Sequence, residues 1–563
     1  MTNSEIIDKV DEAVALMDLL DFNPFKIKAF QSLSIQIDKL ERPLRLFSSA
    51  EIEAGFSKAM AKNIQELLAT ETFPELLELE SQVPIGVRAM LSISGIGPKK
   101  VKVLWKEAGI ETISGLKEAC LNGQVCQMKG FGGKTQTTIL EGLDFLETIH
   151  GKLLMHRADR FAEAFEKSMT DAGITGYQQV GDLKMKSEVV TAIEYLVPIS
   201  ERNKVENWIS QQADFQFLED QSGPFRLESI YLPKEIPVRF FFSGQDDWVK
   251  QNFMLNTLDD HWQSAHHAGI KLYSTWKSGN YTSEEELYEM AGGRFVPPDL
   301  RTGLWEFGEK ADELKSNLVQ YIDLKGCIHN HSTYSDGKNT LLEMAQWCID
   351  KGWEYFGIAD HSPTAVYANG LIEDRVIQQW REIDEINQKL APFKILKGTE
   401  SDILTNGNLD FSDEILSGFD YVVASVHSVL KMEIDLATAR LIKAIENPYT
   451  TILGHCSGRI LLKRSGYPLH YQKIIDACIA NGVVIEMNAH PSRLDMDWRN
   501  LHQALEKGAL ISINPDAHER EGMDLMRYGT WMARKAGATK DKVLNAMSLN
   551  EIETFLNSRK SGK

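Results

Sequence analysis

The feature that most constrains this chain is a series of short apolar segments in its C-terminal half, each ending in or beside a histidine, aspartate or glutamate. LKGCIHNHS, YFGIADHS, KILKGTES, YVVASVHS, TILGHCSG, VVIEMNAHP and LISINPDAH follow one another from about residue 324, with helix-patterned stretches between them. Segments of this kind read as strands, and strands alternating with helices predict a parallel sheet or barrel. Their polar ends are the unusual part. His329 and His331 form an HxH pair, with Asp336 five residues later. His361 follows IAD, Glu400 follows KGT, His427 follows ASV and His455 follows ILG. Asp516 and His518 form a DxH pair. In a strand, residues i and i+2 share a face, so each pair aims two side chains at one point. The C-terminal ends of parallel strands converge on one mouth, where barrel enzymes place their chemistry.

Imidazole together with carboxylate suits Zn, Mn or Fe. Nine such groups are too many for one ion, so two or three divalent ions are expected. Clustered divalent ions lower the pKa of water from about 15.7 toward ~7 and polarise phosphoryl oxygens, which is the chemistry of phosphate-ester hydrolysis. Glu400 and Asp516 are read as catalytic as well as metal-binding. Arg459, four residues after His455, is expected to clamp a non-bridging phosphate oxygen.

The remainder bounds the molecule. At 563 residues the chain exceeds the roughly 100–200 residues of one domain several times over. Residues 1–80 read as short helices. Residues 85–150 are helical with two Gly-rich breaks, Gly95-Ile96-Gly97-Pro98 and Gly130-Phe131-Gly132-Gly133. Residues 150–310 are mixed, with strands expected at QQVGDL, VVTAIEYLVP and IPVRFFF. No run approaches the ~18 apolar residues of a membrane span. The N-terminus carries a helical stripe of Ile6, Ile7, Val10, Val14, Met17 and Leu20 but no basic flank or cleavage site of a signal peptide. Six cysteines without a CxxC pair fit a reduced, cytoplasmic protein. The net charge of −19 argues against easy nucleic-acid binding, although a local basic groove or bound cations can offset it.

HNHSTYSDG, IADHS, KGTESDI, ASVHS, GHCSGR and NPDAH resemble the motifs of the PHP (polymerase and histidinol phosphatase) family. That resemblance implies a distorted (β/α)7 barrel. It also implies one ion on His329, His331, Glu400 and Asp516, a second on Glu400, His427 and His455, and a third on Asp336, His361 and His518. VYANGLIEDR, AIENPYTTILGHCSGRILLKRSGYPL, IEMNAHPSRLD and DLMRYG are closer still to the PHP domain of bacterial family X DNA polymerases. Upstream, NPFKIKAF resembles the start of that family's small helical domain, the two Gly breaks resemble its helix–hairpin–helix elements, and YTSEEELYEMAGGRFVPPDLR resembles the end of its thumb.

The implied architecture has five parts. They are a lyase-like helical domain at 1–80, a helix–hairpin–helix fingers-like domain at 81–150, a palm at 151–235, a thumb-like part at 236–315 and the PHP barrel at 320–563. The first two are all-α, the palm and thumb α+β, and the barrel α/β. The implied activity is a 3′→5′ DNA exonuclease using manganese or zinc, with iron or magnesium as further candidates, acting at 3′ ends or at gapped or abasic duplex. Gly95, Gly97, Lys99, Lys100, Gly130, Gly132 and Lys134 would dock DNA, through backbone N–H groups freed by the glycines and through charge. Two other readings stand beside this one: a small-molecule phosphomonoesterase of the histidinol-phosphatase type, and a non-catalytic repair scaffold. Asn63 occupies the position of the lyase lysine of some relatives, and Lys62 beside it is rotated by about 100° on a helix, so lyase activity is not expected.

The palm-like stretch departs from the pattern of the family it resembles. VGDLKMKSEVVTAIEYLV aligns with the GS…RR…DxD stretch, but Ala192 and Glu194 replace the two aspartates and Arg239 stands in place of the third. In the triphosphate cradle Gly181 survives, while Asp182 replaces serine and Lys184 and Met185 replace two arginines. Arginine cannot ligate a metal, so DNA synthesis is expected to be absent.

Overall fold

A computed structural model of the chain describes residues 1–561 apart from 2, 41–43, 94 and 150. It divides into two units, Met1–His150 and Gly151–Lys563.

The first unit is helical. Its leading helix, Asn3–Leu19, buries Ile6, Val10, Ala13, Leu16 and Met17, while Ile7, Val14 and Leu20 pack at the margin of the same core. The expected stripe is therefore the buried face, widened by Ala13 and Leu16. Helix ends follow local sequence: Asn23 accepts from the Phe25 N–H ahead of Pro24–Asp38, and Ser48 with Glu51 forms a capping box for Ser49–Gly55. The Gly95 break leads into the short helix Pro98–Lys102, and the Gly130 break into Gly133–Ile149. The two breaks lie side by side. A Cβ on Gly95 would stand 2.8 Å from Thr138 Cγ2, and the Lys100 ammonium lies 5.9 Å from the centre of the Phe131 ring. Both Gly95 (φ +90°) and Gly130 (φ +85°) have left-handed backbone, which only glycine adopts at little cost.

The second unit begins with helix Met155–Asp171 on a five-stranded sheet, ordered Gln178–Val180, Ile193–Pro198, Ile236–Ser243, Arg226–Tyr231 and Phe215–Phe217. The central pair is parallel and the others antiparallel. The expected boundary at residues 235/236 is corrected here. Strand Ile236–Ser243 pairs along its whole length inside this sheet, so the palm-like part runs through Ser243. Helices Trp248–Leu255, Asp259–His267, Leu272–Ser278 and Glu284–Ala291 then enclose a separate small core around Phe253, Leu287 and Tyr288.

From Gly326 onward every strand pairing is parallel. Gly326–Cys327, Tyr355–Gly357 and Lys394–Leu396 form one set, and Gly398–Asp402, Tyr421–Ser425, Ile452–Leu453, Val484–Asn488 and Ile511–Asn514 the other. Only Lys397 separates Lys394–Leu396 from Gly398–Asp402, so the two are halves of one bent strand. Parallel bridges His361–Glu400 and Asn330–Ala517 join the two sets on both sides. The result is a distorted seven-stranded barrel. Its strands are buried at nearly every position, as parallel strands under a helical layer must be.

Candidate metal centre

All nine expected ligands meet at the mouth formed by the strand ends. Glu400 lies within the last strand segment that carries it and is buried, and four imidazoles surround its carboxylate. Oε1 is 2.9 Å from His455 Nε2, 3.2 Å from His427 Nε2 and 3.3 Å from His329 Nε2, while Oε2 is 3.1 Å from His361 Nδ1. His331 Nε2 lies 3.1 Å from Asp516 Oδ1. The His518 ring stacks 4.3 Å from His331, and its Nε2 is 3.4 Å from Asp336 Oδ2. His329 (φ +62°) and Asp516 (φ +52°) both hold left-handed backbone, a strained conformation for a residue with a side chain and one that clusters at functional sites.

These side chains fit a set of divalent cations. They form four overlapping groups: His331, Asp336, His361 and His518; His329, Glu400 and His455; His329, His331 and Asp516; His361, Glu400 and His427. Glu400 belongs to two of them. His331 and His361 each take part in two groups, a wider sharing than the sequence assignment gave them. The buried atoms His329 Nε2, His331 Nδ1, His361 Nδ1, His455 Nδ1 and Glu400 Oε2 have no hydrogen-bond partner. Buried polar atoms are normally paired, so a cluster of orphans of metal-ligating type is what a cation site requires.

Without cations, the crowded acids and imidazoles hold one another in their charged forms. Burial alone would raise the Glu400 carboxyl, but His427, His329 and His361 hold it well below the usual carboxylate range. Asp516 behaves likewise: burial is outweighed by His329 and His331. Burial disfavours charge on His427, yet Glu400 and Asp402 push it up to about 10.

A supporting layer orients these ligands, and most of it escaped sequence reasoning. Glu486 Oε1 accepts from His329 Nδ1 at 2.6 Å, and its Oε2 accepts from the His455 N–H at 2.7 Å. Asp402 Oδ1 lies 3.0 Å from His427 Nδ1. The ring partners Glu486 and Asp402 fix the tautomers of His329 and His427, so that the opposite nitrogen of each would be free for a cation, while the His455 contact is to its backbone N–H. The signal was present: Glu486 sits inside the apolar run VVIEMN, and a carboxylate in a wholly buried strand needs a cationic or hydrogen-bonding partner.

Arg459 requires a correction. Its Nε donates to the Arg493 carbonyl at 2.9 Å, Nη1 to Asp497 Oδ2 at 2.7 Å, and Nη2 to Glu188 Oε1 at 2.8 Å and to the Leu494 carbonyl. Four of its five N–H groups are thus committed to protein acceptors. It fastens the barrel to the palm-like part and has no fork to offer a phosphate. The arginine at the mouth is Arg493, whose Nε lies 3.6 Å from Asp516 Oδ2 and whose side chain keeps partial exposure.

The positions aligned with the polymerase carboxylates show different chemistry. Ala192 is buried immediately before the strand Ile193–Pro198. Glu194 and Arg239 are register partners, with Arg239 Nη1 3.0 Å from Glu194 Oε1 and Nε 3.1 Å from Glu228. Gly181 holds left-handed backbone (φ +72°), which strains any larger residue, and a Cβ there would also push aside Glu194 Oε2, 1.8 Å away. Asp182 accepts from the Thr191 backbone N–H and hydroxyl, closing its own loop. The Lys184 side chain is exposed and Met185 is buried. Among the described residues, no metal-binding group forms around Glu194.

In the helical unit, Lys99 and Lys134 are exposed beside the exposed glycines Gly97 and Gly132, and Lys100 is half-buried over Phe131. Asn63 is buried and donates to Glu75 Oε2 at 2.9 Å, while Lys62 is exposed.

Comparison with known proteins places these parts in one lineage. Residues 328–490 match the PHP domain family, and residues 87–144 match the SAM-like helix-hairpin-helix tandem. The protein named probable phosphatase in Thermoanaerobacter sp. (strain X514) is 29% identical over 244 residues, 41% of this chain and 94% of that one. A probable phosphatase of Vibrio atlanticus is 27% identical over 223 residues, 36% of this chain and 84% of its own. The DNA polymerase/3′-5′ exonuclease PolX of Bacillus subtilis is 30% identical over 574 residues, 99% of both chains. With helix–hairpin–helix turns, a palm-like sheet and a histidine–carboxylate barrel in that order along one chain, the protein belongs to the bacterial family X DNA polymerases that carry a C-terminal PHP domain.

Proposed function

We propose that this chain is a 3′→5′ DNA exonuclease whose work is done in the PHP barrel, with no DNA synthesis in the palm-like part. The observation that carries the proposal is the pairing of a complete ligand set at the barrel mouth with an arginine-filled carboxylate position in the palm-like sheet. Divalent cations, manganese or zinc first, would supply a hydroxide nucleophile near neutral pH and neutralise charge on the phosphoryl group. The chain's own residues do the rest. His329, His331, Glu400 and Asp516, with His427 and His455 and with Asp336, His361 and His518, would hold the ions. Glu486 and Asp402 keep two of the imidazoles oriented. Arg493 extends its guanidinium toward the same mouth and is the side chain suited to a non-bridging phosphate oxygen.

DNA would be brought to this site by the paired hairpin turns, through the backbone N–H groups at Gly95, Gly97, Gly130 and Gly132 and the charges of Lys99, Lys100 and Lys134. Its 3′ ends, including those at gaps or beside abasic sites, would be the substrate. In the palm-like part, the Arg239 guanidinium takes the position of a cation between Glu194 and Glu228, and Asp182 would repel a triphosphate from the surviving Gly181.

The probable phosphatases that match the barrel over most of their own length favour a second reading, a phosphomonoesterase acting on a small molecule. A side-by-side assay on a duplex with a recessed 3′ end and on histidinol phosphate separates the two. The exonuclease reading expects turnover of the DNA to exceed that of the small ester by orders of magnitude. Turnover of histidinol phosphate alone would overturn it.

A further inference from the structure

The mouth of the barrel presents an aromatic side chain that the metal cluster does not use. Tyr367 is 72% exposed and Val366 beside it 81%, both on the short 3-10 turn Val366–Ala368. The Tyr367 ring centre lies 6.2 Å from that of His361 and 6.5 Å from that of His427, two of the cluster's ligands. Among the described residues, its hydroxyl makes no hydrogen bond. An aromatic ring left in water at the edge of a charged, buried cluster gains nothing for the fold.

The turn that carries it is nevertheless firmly held. The Leu371 N–H donates to the His361 carbonyl at 2.7 Å, so the loop closes back onto the ligand it leaves. Asn369 takes left-handed backbone (φ +56°) and donates to the carbonyls of Tyr334 and Ser335. Arg375 binds the Asn369 carbonyl at 3.0 Å and also reaches Tyr334. Gly370 is confined, since a Cβ there would sit 2.0 Å from the Ser362 carbonyl. Thr364 is tied to Asp410 through both its N–H and its hydroxyl. On the loop after His427, Val429 is likewise exposed, at 58%, with a left-handed backbone (φ +54°) that a β-branched residue adopts only at a cost. Apolar side chains are thus displayed on rigid turns that follow two neighbouring ligands.

We propose that Tyr367, with Val366 beside it, is the platform on which the base of the departing 3′-terminal nucleotide stacks while its phosphate lies at the metal cluster. This inference rests on the exonuclease reading and deepens it. An exposed ring a few ångströms from the ligands suits the flat face of a nucleobase, which stacks on aromatic side chains whatever its identity. Stacking would hold the last nucleotide apart from its neighbour and set the cut one residue from the end. A platform of this kind recognises the presence of a base and gives little sequence preference.

The test is a cycle between the residue and the base. Full-length wild type, Tyr367→Ala and Tyr367→Phe are each given two oligonucleotides that differ only at the 3′ terminus, one ending in an ordinary nucleotide and the other in a base-less tetrahydrofuran nucleotide. The readout is the ratio of kcat/KM for the two ends, with metal content measured on every protein. In wild type and Tyr367→Phe the ordinary end is expected to be favoured by about tenfold. In Tyr367→Ala that ratio should fall close to one, with metal content retained. A ratio near one in wild type, or a ratio that survives in Tyr367→Ala while both rates fall together, would overturn the platform and leave the exonuclease reading standing. Failure of the wild type to shorten either oligonucleotide while it hydrolyses histidinol phosphate would overturn the reading and the platform with it.

Discussion

Glu400 is the residue on which the site turns. Its two oxygens face four imidazoles and it belongs to two of the overlapping ligand groups. Glu400→Gln keeps the shape but removes the charge and one ligand oxygen. It should reduce bound metal by at least one ion per chain and lower hydrolysis by three orders of magnitude or more, with thermal stability changed by about 1–2 kcal/mol. Elemental analysis beside an activity assay reads both quantities, and full metal content with full turnover would contradict the assignment. The two arginines make a sharper contrast. Arg459→Met strips Glu188 and Asp497 of a buried cation and should cost about 3–5 kcal/mol in stability. Arg493→Ala should leave stability nearly unchanged and lower kcat/KM by a factor on the order of ten to a hundred. Denaturant melts and kinetics on the two variants check the division; a kinetic defect confined to Arg459→Met would reverse it. The sequence misplaced this role because spacing from His455 says nothing about acceptors that arrive from elsewhere. Those acceptors are Glu188 in the palm-like part, the Asp497 carboxylate, and the carbonyls of Arg493 and Leu494 on a turn closed when the Asn488 N–H meets the Asp495 carbonyl.

At the scale of elements, the apolar strands were legible and the strands of mixed composition were not. Most barrel strands are short buried runs followed within a few residues by one of the nine groups, as Tyr421–Ser425 is by His427 and Ile452–Leu453 by His455, whereas Glu400 lies inside its strand and Val484–Asn488 carries none of them. Lys394–Leu396 and Gly398–Asp402 were read as the single run KILKGTES, and the bend at Lys397 divides them without ending the strand. In the palm-like sheet the three strands expected from sequence are present, but Arg226–Tyr231 and Phe215–Phe217 went unnoticed. The first mixes Arg226, Glu228 and Ser229 with apolar residues, and the buried Glu228 resembles a solvent-facing charge until Arg226 and Arg239 are seen beside it. The parallel pair Ile193–Pro198 and Ile236–Ser243 sets Glu194 opposite Arg239, which gives the palm prediction its geometry. Purified protein carrying Glu400→Gln, so that degradation cannot mask synthesis, should not extend a primer with Mg or Mn. Template-dependent extension would show that other carboxylates, such as Glu188 with Glu194, hold catalytic metals.

At the scale of the whole molecule, the proposed DNA substrate has to be bound by local positive charge despite a net charge of −19. Lys99 and Lys134 are exposed at the two hairpin turns, with Lys100 over the Phe131 ring between them. Replacing the three lysines with alanine should weaken binding to duplex DNA and flatten its salt dependence by roughly one unit of slope for each phosphate no longer neutralised. Hydrolysis of a small chromogenic phosphodiester by the same variant should match wild type. Equal weakening on both substrates would locate the DNA-binding surface in the barrel.

The central claim is that the barrel removes nucleotides from the 3′ end of DNA with metals bound by these side chains. It is tested most directly by adding Mn, Zn or Mg back to metal-stripped protein and following a 5′-labelled strand in a duplex with a recessed 3′ end. Without metal no cleavage is expected; restored Mn or Zn should give a ladder that shortens one nucleotide at a time from the 3′ end, and Glu400→Gln should give none. A ladder that persists in Glu400→Gln, or intact DNA under every metal, would contradict it.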